Sequence, residues 1–136
     1  MATRKEIGGW IENARQKYAS YKRIAEECDE KIARLVAAYN EISGLKKGFR
    51  KAQQQTEEIF EQNALWSGER NDSFCVSGAA INNALGEYYQ QLDAVHDAIN
   101  VRIGELRAEK YRVLDLAGVI LTKISQWRVA WENATN

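Results

Sequence analysis

His96 is the only histidine in the 136-residue chain. It lies three residues after Asp93 and one before Asp97. On a helix these three side chains share part of one face, and two carboxylates with an imidazole are donors a divalent cation accepts. A lone triplet of this kind reads as solvated surface, so no metal and no cofactor is expected. One histidine also leaves no Ser/His/Asp or Cys/His arrangement in which a nucleophile could be oriented, so no catalytic residue is assigned and the chain reads as a non-enzyme.

Two tyrosine–carboxylate pairs offer recognition instead of catalysis. Tyr89 with Asp93 and Tyr111 with Asp115 are each spaced i, i+4, which sets ring and carboxylate on one helical face where a receptor can read both. Around the second pair runs an apolar stripe, Tyr111, Leu114, Gly118 and Leu121. A helix that is apolar over more than one stripe has a second neighbour, so this stripe is the candidate partner interface. Lys46, Lys47, Arg50 and Lys51, followed by Glu57, Glu58 and Glu61, form a charge-segregated stretch that reads as a solvated face or as a steering patch for a partner of mixed charge.

The elements that position these residues follow from spacing. The chain has no proline, and apolar residues recur in steps of three and four: Tyr18, Tyr21, Ala25, Cys28, Ile32, Leu35, Tyr39, Ile42. This is the heptad seam of a helix lying against a partner. After Ile42 the apolar phase slips and resumes as Leu45, Phe49, Ala52, Thr56, Ile59, the pattern of a stammer. The second half repeats the seam through Gly78, Ile81, Leu85, Tyr88, Leu92, Val95 and Ile99, then shifts phase and continues from Ile103 to Trp131. The expected fold is all-α: one elongated antiparallel two-helix hairpin. Helix one covers about 4–64, the turn about 65–68 and helix two about 69–132. Each helix would be roughly 90 Å long at ~1.5 Å per residue.

Thr3-x-x-Glu6 resembles a capping box for the first helix. Folding at Gly68 sets Trp10 level with about Gln126 and collects Trp10, Tyr18, Tyr21, Trp127 and Trp131 at the open end, as a packing clasp.

Composition bounds the partners. Nineteen basic and nineteen acidic residues give a formal net charge of zero, whereas a nucleic-acid partner calls for a clustered basic excess. No apolar run is long enough for membrane insertion, and the N-terminal residues lack a secretory apolar core. Cys28 and Cys75 fall far apart along such a hairpin, so they read as free thiols of a protein made in the cytoplasm.

Trp66-Ser67-Gly68 sits at the expected bend, with Phe74 shortly after it. Glycine allows the reversal, and the indole can shield the two helix ends. On these residues, with a long charged helix before and a Tyr-rich helix after, the chain resembles the Trp-x-Gly helical hairpins of type VII (Esx-type) secretion. It is most similar to the YwqH-like partners of Leu-x-Gly toxins. Its length, several turns more in each arm than the short members, points to that toxin-associated branch.

The resemblance implies a turn motif of Trp66, Gly68 and Phe74 and a Tyr-x-x-x-Asp export signal late in the second helix. Tyr111 and Asp115, about forty-five residues after Trp66, stand at the implied distance. It also implies a non-catalytic targeting partner or chaperone, which binds the helical N-terminal domain of a toxin or a second small helical protein. Such a protein engages the type VII secretion machinery and can leave the cytoplasm without a cleaved signal. The competing reading of the same residues is a scaffolding coiled coil, a homo-oligomer with no link to export.

Overall fold

The computed structural model describes residues 2–63 and 69–134, with side chains of 60–63 and 69–75 outside that description. Two helices make up the described chain, α1 over Arg4–Asn63 and α2 over Glu69–Asn133. They pack against each other as an antiparallel hairpin, as the heptads predict. The turn residues Trp66 and Gly68 lie outside the described residues, as does the side chain of Phe74.

The start of α1 is capped as expected. The Glu6 backbone N–H donates to Thr3 Oγ1 at 3.2 Å, and the Ile7 N–H donates to the Thr3 carbonyl at 3.0 Å. The other terminus is capped from across the hairpin. The last turn of α2 carries no basic residue of its own. Arg4 supplies one, its Nε donating to the carbonyls of Trp131 (3.1 Å) and Ala134 (2.9 Å). A cation at the carbonyl end of a helix meets the negative pole of its dipole and satisfies acceptors that have no intrahelical donor. The guanidinium also lies 4.8 Å over the Trp131 ring.

The described chain sorts into two compact units, a terminal unit of Met1–Arg34 with Ile103–Asn136 and a central unit of Leu35–Arg102. In the terminal unit the seam is aliphatic. Ile7, Ile11, Ala14, Ala25 and Cys28 of α1 and Ile103, Leu106, Val113, Ala117 and Ile124 of α2 are buried, Val113 to 1%. Lys110 Nζ meets Asp29 at 2.8 Å, and Trp10 meets Trp127 with centroids 5.9 Å apart. A fold at Gly68 would set Trp10 against residue 126 and Asp29 against residue 107, so these partners lie one and three residues farther along α2.

In the central unit the seam is different in kind. Among the described residues no hydrophobic side chain there is buried, and Gly78 is the only buried position. The expected stammer after Ile42 does not exist: the less exposed positions run on as Ile42, Lys46, Phe49, Gln53, Thr56 without a slip. Leu45, assigned to the seam by its apolar character, is 52% exposed. On α2 the seam positions are Gly78, Asn82, Leu85, Tyr89, Leu92, His96 and Ile99. Ile81, Tyr88 and Val95 stand outside it, each about half exposed. The expected phase shift at Ile103 is therefore also absent, and each helix keeps an unbroken heptad. Both errors have one cause. At Lys46 and Gln53 on α1 and at Asn82 and His96 on α2 a polar residue holds the seam position and an apolar residue precedes it, while Tyr88 and Tyr89 offer the same side chain at both positions, so apolar spacing locks one residue early.

Candidate functional site

The polar residues of the central seam form a connected layer. The Tyr39 and His96 rings stack with centroids 3.6 Å apart, and His96 Nε2 is hydrogen-bonded to Ser43 Oγ at 2.9 Å. One turn on, Lys46 forms an ion pair with Asp93. The Lys46 side chain is only 16% exposed and Asp93 51%, so the lysine stem fills the seam while its ammonium reaches the rim. That hydrogen bond, and secondly the lysine charge, hold the Asp93 carboxyl below the usual carboxylate range. The same bond raises Lys46 above the ordinary lysine value against a smaller opposing effect of desolvation. Lys46 Nζ and the Arg50 guanidinium lie over the Tyr89 ring at 5.3 and 4.9 Å. Polar seam residues cost stability and in return fix register and orientation, because only one alignment pairs them.

This layer decides between the two Tyr-x-x-x-Asp motifs as surfaces. Tyr89 is half-buried beneath two cations and Asp93 is bonded to Lys46, so both are engaged within the hairpin. Tyr111 is 62% exposed and Asp115 is exposed. Both are accessible one turn apart. Lys110 Nζ, 6.0 Å from the centre of the Tyr111 ring, is also paired to Asp29.

The other residues of the Tyr111 stripe stand beside the seam. Leu121 is 46% exposed, Leu114 is half-buried, and a side-chain carbon built on Gly118 would meet nothing within 4 Å. The seam of the terminal unit is complete without any of them.

Asp93, His96 and Asp97 do converge, with one ligand atom from each within 4.8 Å of the others. Asp93 is engaged by Lys46 and His96 by Ser43, so these two members of the triplet take part in holding the layer together. Sequence spacing found the triplet and the basic cluster but missed that Tyr39, Ser43 and Lys46 meet them. The signal was present as polar residues recurring every seventh position, Lys46 and Gln53 on α1 and Asn82, Tyr89 and His96 on α2.

Among the described residues no helix is long and apolar enough to cross a membrane. Compared with family models, with curated proteins and with solved structures, the chain matches none.

Proposed function

We propose that this hairpin is a non-catalytic partner that carries a helical toxin domain to a type VII secretion system. The observation that carries the reading is the exposed pair Tyr111 and Asp115 beside a stripe of apolar and small residues that the hairpin's own seam leaves unused. Leu121, Leu114 and Gly118 offer a second helix an apolar line of close approach, since a glycine in the stripe lets backbones come near. The Tyr-ring and carboxylate of the export pair would remain legible at its edge. The Trp-x-Gly resemblance supports the secretion role, and the accessible stripe supports the partner role.

The test is co-expression with the neighbouring gene products, followed by co-purification and a secretion assay. A toxin with a long helical N-terminal domain should co-purify. Asp115→Ala should abolish its secretion while leaving the complex and the fold intact, because an exposed carboxylate contributes little to stability. Secretion unchanged by Asp115→Ala would remove the export-signal assignment, and failure of any helical toxin domain to co-purify would remove the partner reading.

A second reading, a homo-oligomeric scaffold, is favoured by one observation. In the central unit Leu45, Ile59, Ile81, Tyr88 and Val95 all flank the seam at the same heptad position and are about half exposed. Sedimentation of the purified chain separates the readings. A dimer that Ile81→Glu with Val95→Glu dissociates would establish the scaffold.

A further inference from the structure

The terminal unit carries a groove of about 560 Å³ along one flank of the seam, lined by Trp10, Tyr21, Val119 and Trp127 among others, with Lys17 of α1 and Lys123 of α2 also lining it. We propose that this groove docks an amphipathic helix of another protein whose apolar stripe is flanked on both sides by Asp or Glu. It does not share residues with the Tyr111–Leu121 stripe, and it does not depend on the secretion reading.

Three features of the groove select that occupant. The first is shape. It runs beside two antiparallel helices from Trp10 to Tyr21, eleven residues or about 16 Å at 1.5 Å per residue, which matches three turns of a third helix packed nearly parallel. The second is chemistry. Trp10 is 43% exposed although it touches Trp127, and Val119 is 55% exposed. Wide aromatic rings left accessible beside aliphatic side chains are the anchors that dominate helix-in-groove recognition.

The third is charge. The groove is lined by two lysines and no carboxylate. Among the described residues neither Lys17 nor Lys123 takes part in an ion pair. Lysines contributed by both helices that line an apolar groove repel a basic helix and favour one with acids on both borders of its stripe. They also oppose a second copy of this chain set against the same flank, since that pairing brings lysine against lysine.

The test uses the full chain and two fluorescently labelled, equally helical eighteen-residue peptides. Both carry a leucine stripe at i, i+3, i+4 and i+7, one flanked by Glu and the other by Lys. In fluorescence anisotropy the Glu-flanked peptide should bind at least tenfold more tightly, and the preference should shrink in high salt. Lys17→Glu with Lys123→Glu should reverse the preference. Val119→Asp should abolish binding of the Glu-flanked peptide while leaving the circular dichroism melt in place. Should that variant unfold, the charge reversal alone decides, because it leaves the groove floor untouched. Equal binding of the two peptides, binding of neither, or a preference that survives charge reversal overturns the proposal. A wild-type dimer that Val119→Asp dissociates also overturns it, by making a second copy the occupant.

Discussion

The Asp93 carboxylate shows how one seam substitution reorganises its neighbours. Lys46 replaces an aliphatic residue in the heptad, and its ammonium needs a counter-charge at the rim, which Asp93 supplies. Because that contact depresses the Asp93 pKa in the folded chain, the unfolded chain binds more protons as the pH approaches the ordinary carboxylate value of about 3.9. The stabilisation is therefore complete above that value and is lost as pH falls through the lower folded value. Asp93→Asn should melt below the wild type near pH 6, and the two melting temperatures should converge toward pH 3. The other carboxylates titrate in both proteins and cancel in the difference. A gap that stays constant over that range would show that the pair makes no pH-dependent contribution. The Asp93 carboxylate is half exposed, so the gap should also narrow in high salt.

At the scale of the helix, the heptad was legible and its contents were not. The chain's lack of proline, its three-four spacing and the Thr3 cap all point to two long helices, and the outer limits of α1 and α2, Arg4 and Asn133, fall within a residue of the expected ones, while the expected turn lies outside the described residues. The terminal seam of α1 from Tyr18 to Ile32 matches the expected one, since there every seam position is apolar or aromatic. The central seam was misphased because apolar character and seam position part company at Lys46, Asn82, Tyr89 and His96. The pairing of Tyr39 with His96 could not be read from one helix at all, since it depends on the register between two.

Leu45→Lys discriminates the two phases. If Leu45 were in the seam the change would bury an unpaired charge, but at 52% exposure it should shift stability by no more than about 0.5 kcal/mol in a denaturant titration. A loss of several kcal/mol would restore the stammer.

Glycines in the helices give a second test at this scale. A side-chain carbon added at Gly104 or Gly118 meets nothing within 4 Å, so the substitution to Ala carries the helix propensity gain without a clash. Gly104→Ala should stabilise the isolated chain by roughly 0.8–1 kcal/mol, read as a raised urea midpoint with an unchanged slope. Gly118→Ala should stabilise the isolated chain similarly but weaken partner capture, because it fills the line of close approach in the stripe. Gains in both stability and capture would place the partner elsewhere.

For the whole molecule, the unequal burial of the two units has a dynamic consequence. Every buried hydrophobic side chain among the described residues belongs to the terminal unit, together with the Arg4 bonds that close its open end. The central unit relies on half-buried aliphatics, stacked Tyr39 and His96, the Lys46–Asp93 ion pair, and Asn82, whose Oδ1 is buried and has no hydrogen-bond partner among the described residues. Apolar burial contributes about 25 cal/mol per Å², while an unpaired buried amide oxygen costs on the order of 1–3 kcal/mol. Over its described stretches 36–58 and 77–101 the central unit should therefore open at lower free energy than the buried stretches of the terminal unit. Local opening of this kind is what native-state hydrogen exchange reports. Amides of 11–28 and 106–124 should be the last to exchange, and those of 36–58 and 77–101 should exchange earlier, at a denaturant concentration where the former remain protected. Asn82→Leu should slow exchange in the central unit selectively, since it removes the orphan oxygen and adds an aliphatic at a seam position. Uniform protection across both units, or slower exchange in the central one, would mean that its polar layer contributes more than its burial implies. In that case the Lys46–Asp93 and Ser43–His96 contacts would be the place to look for the missing stability.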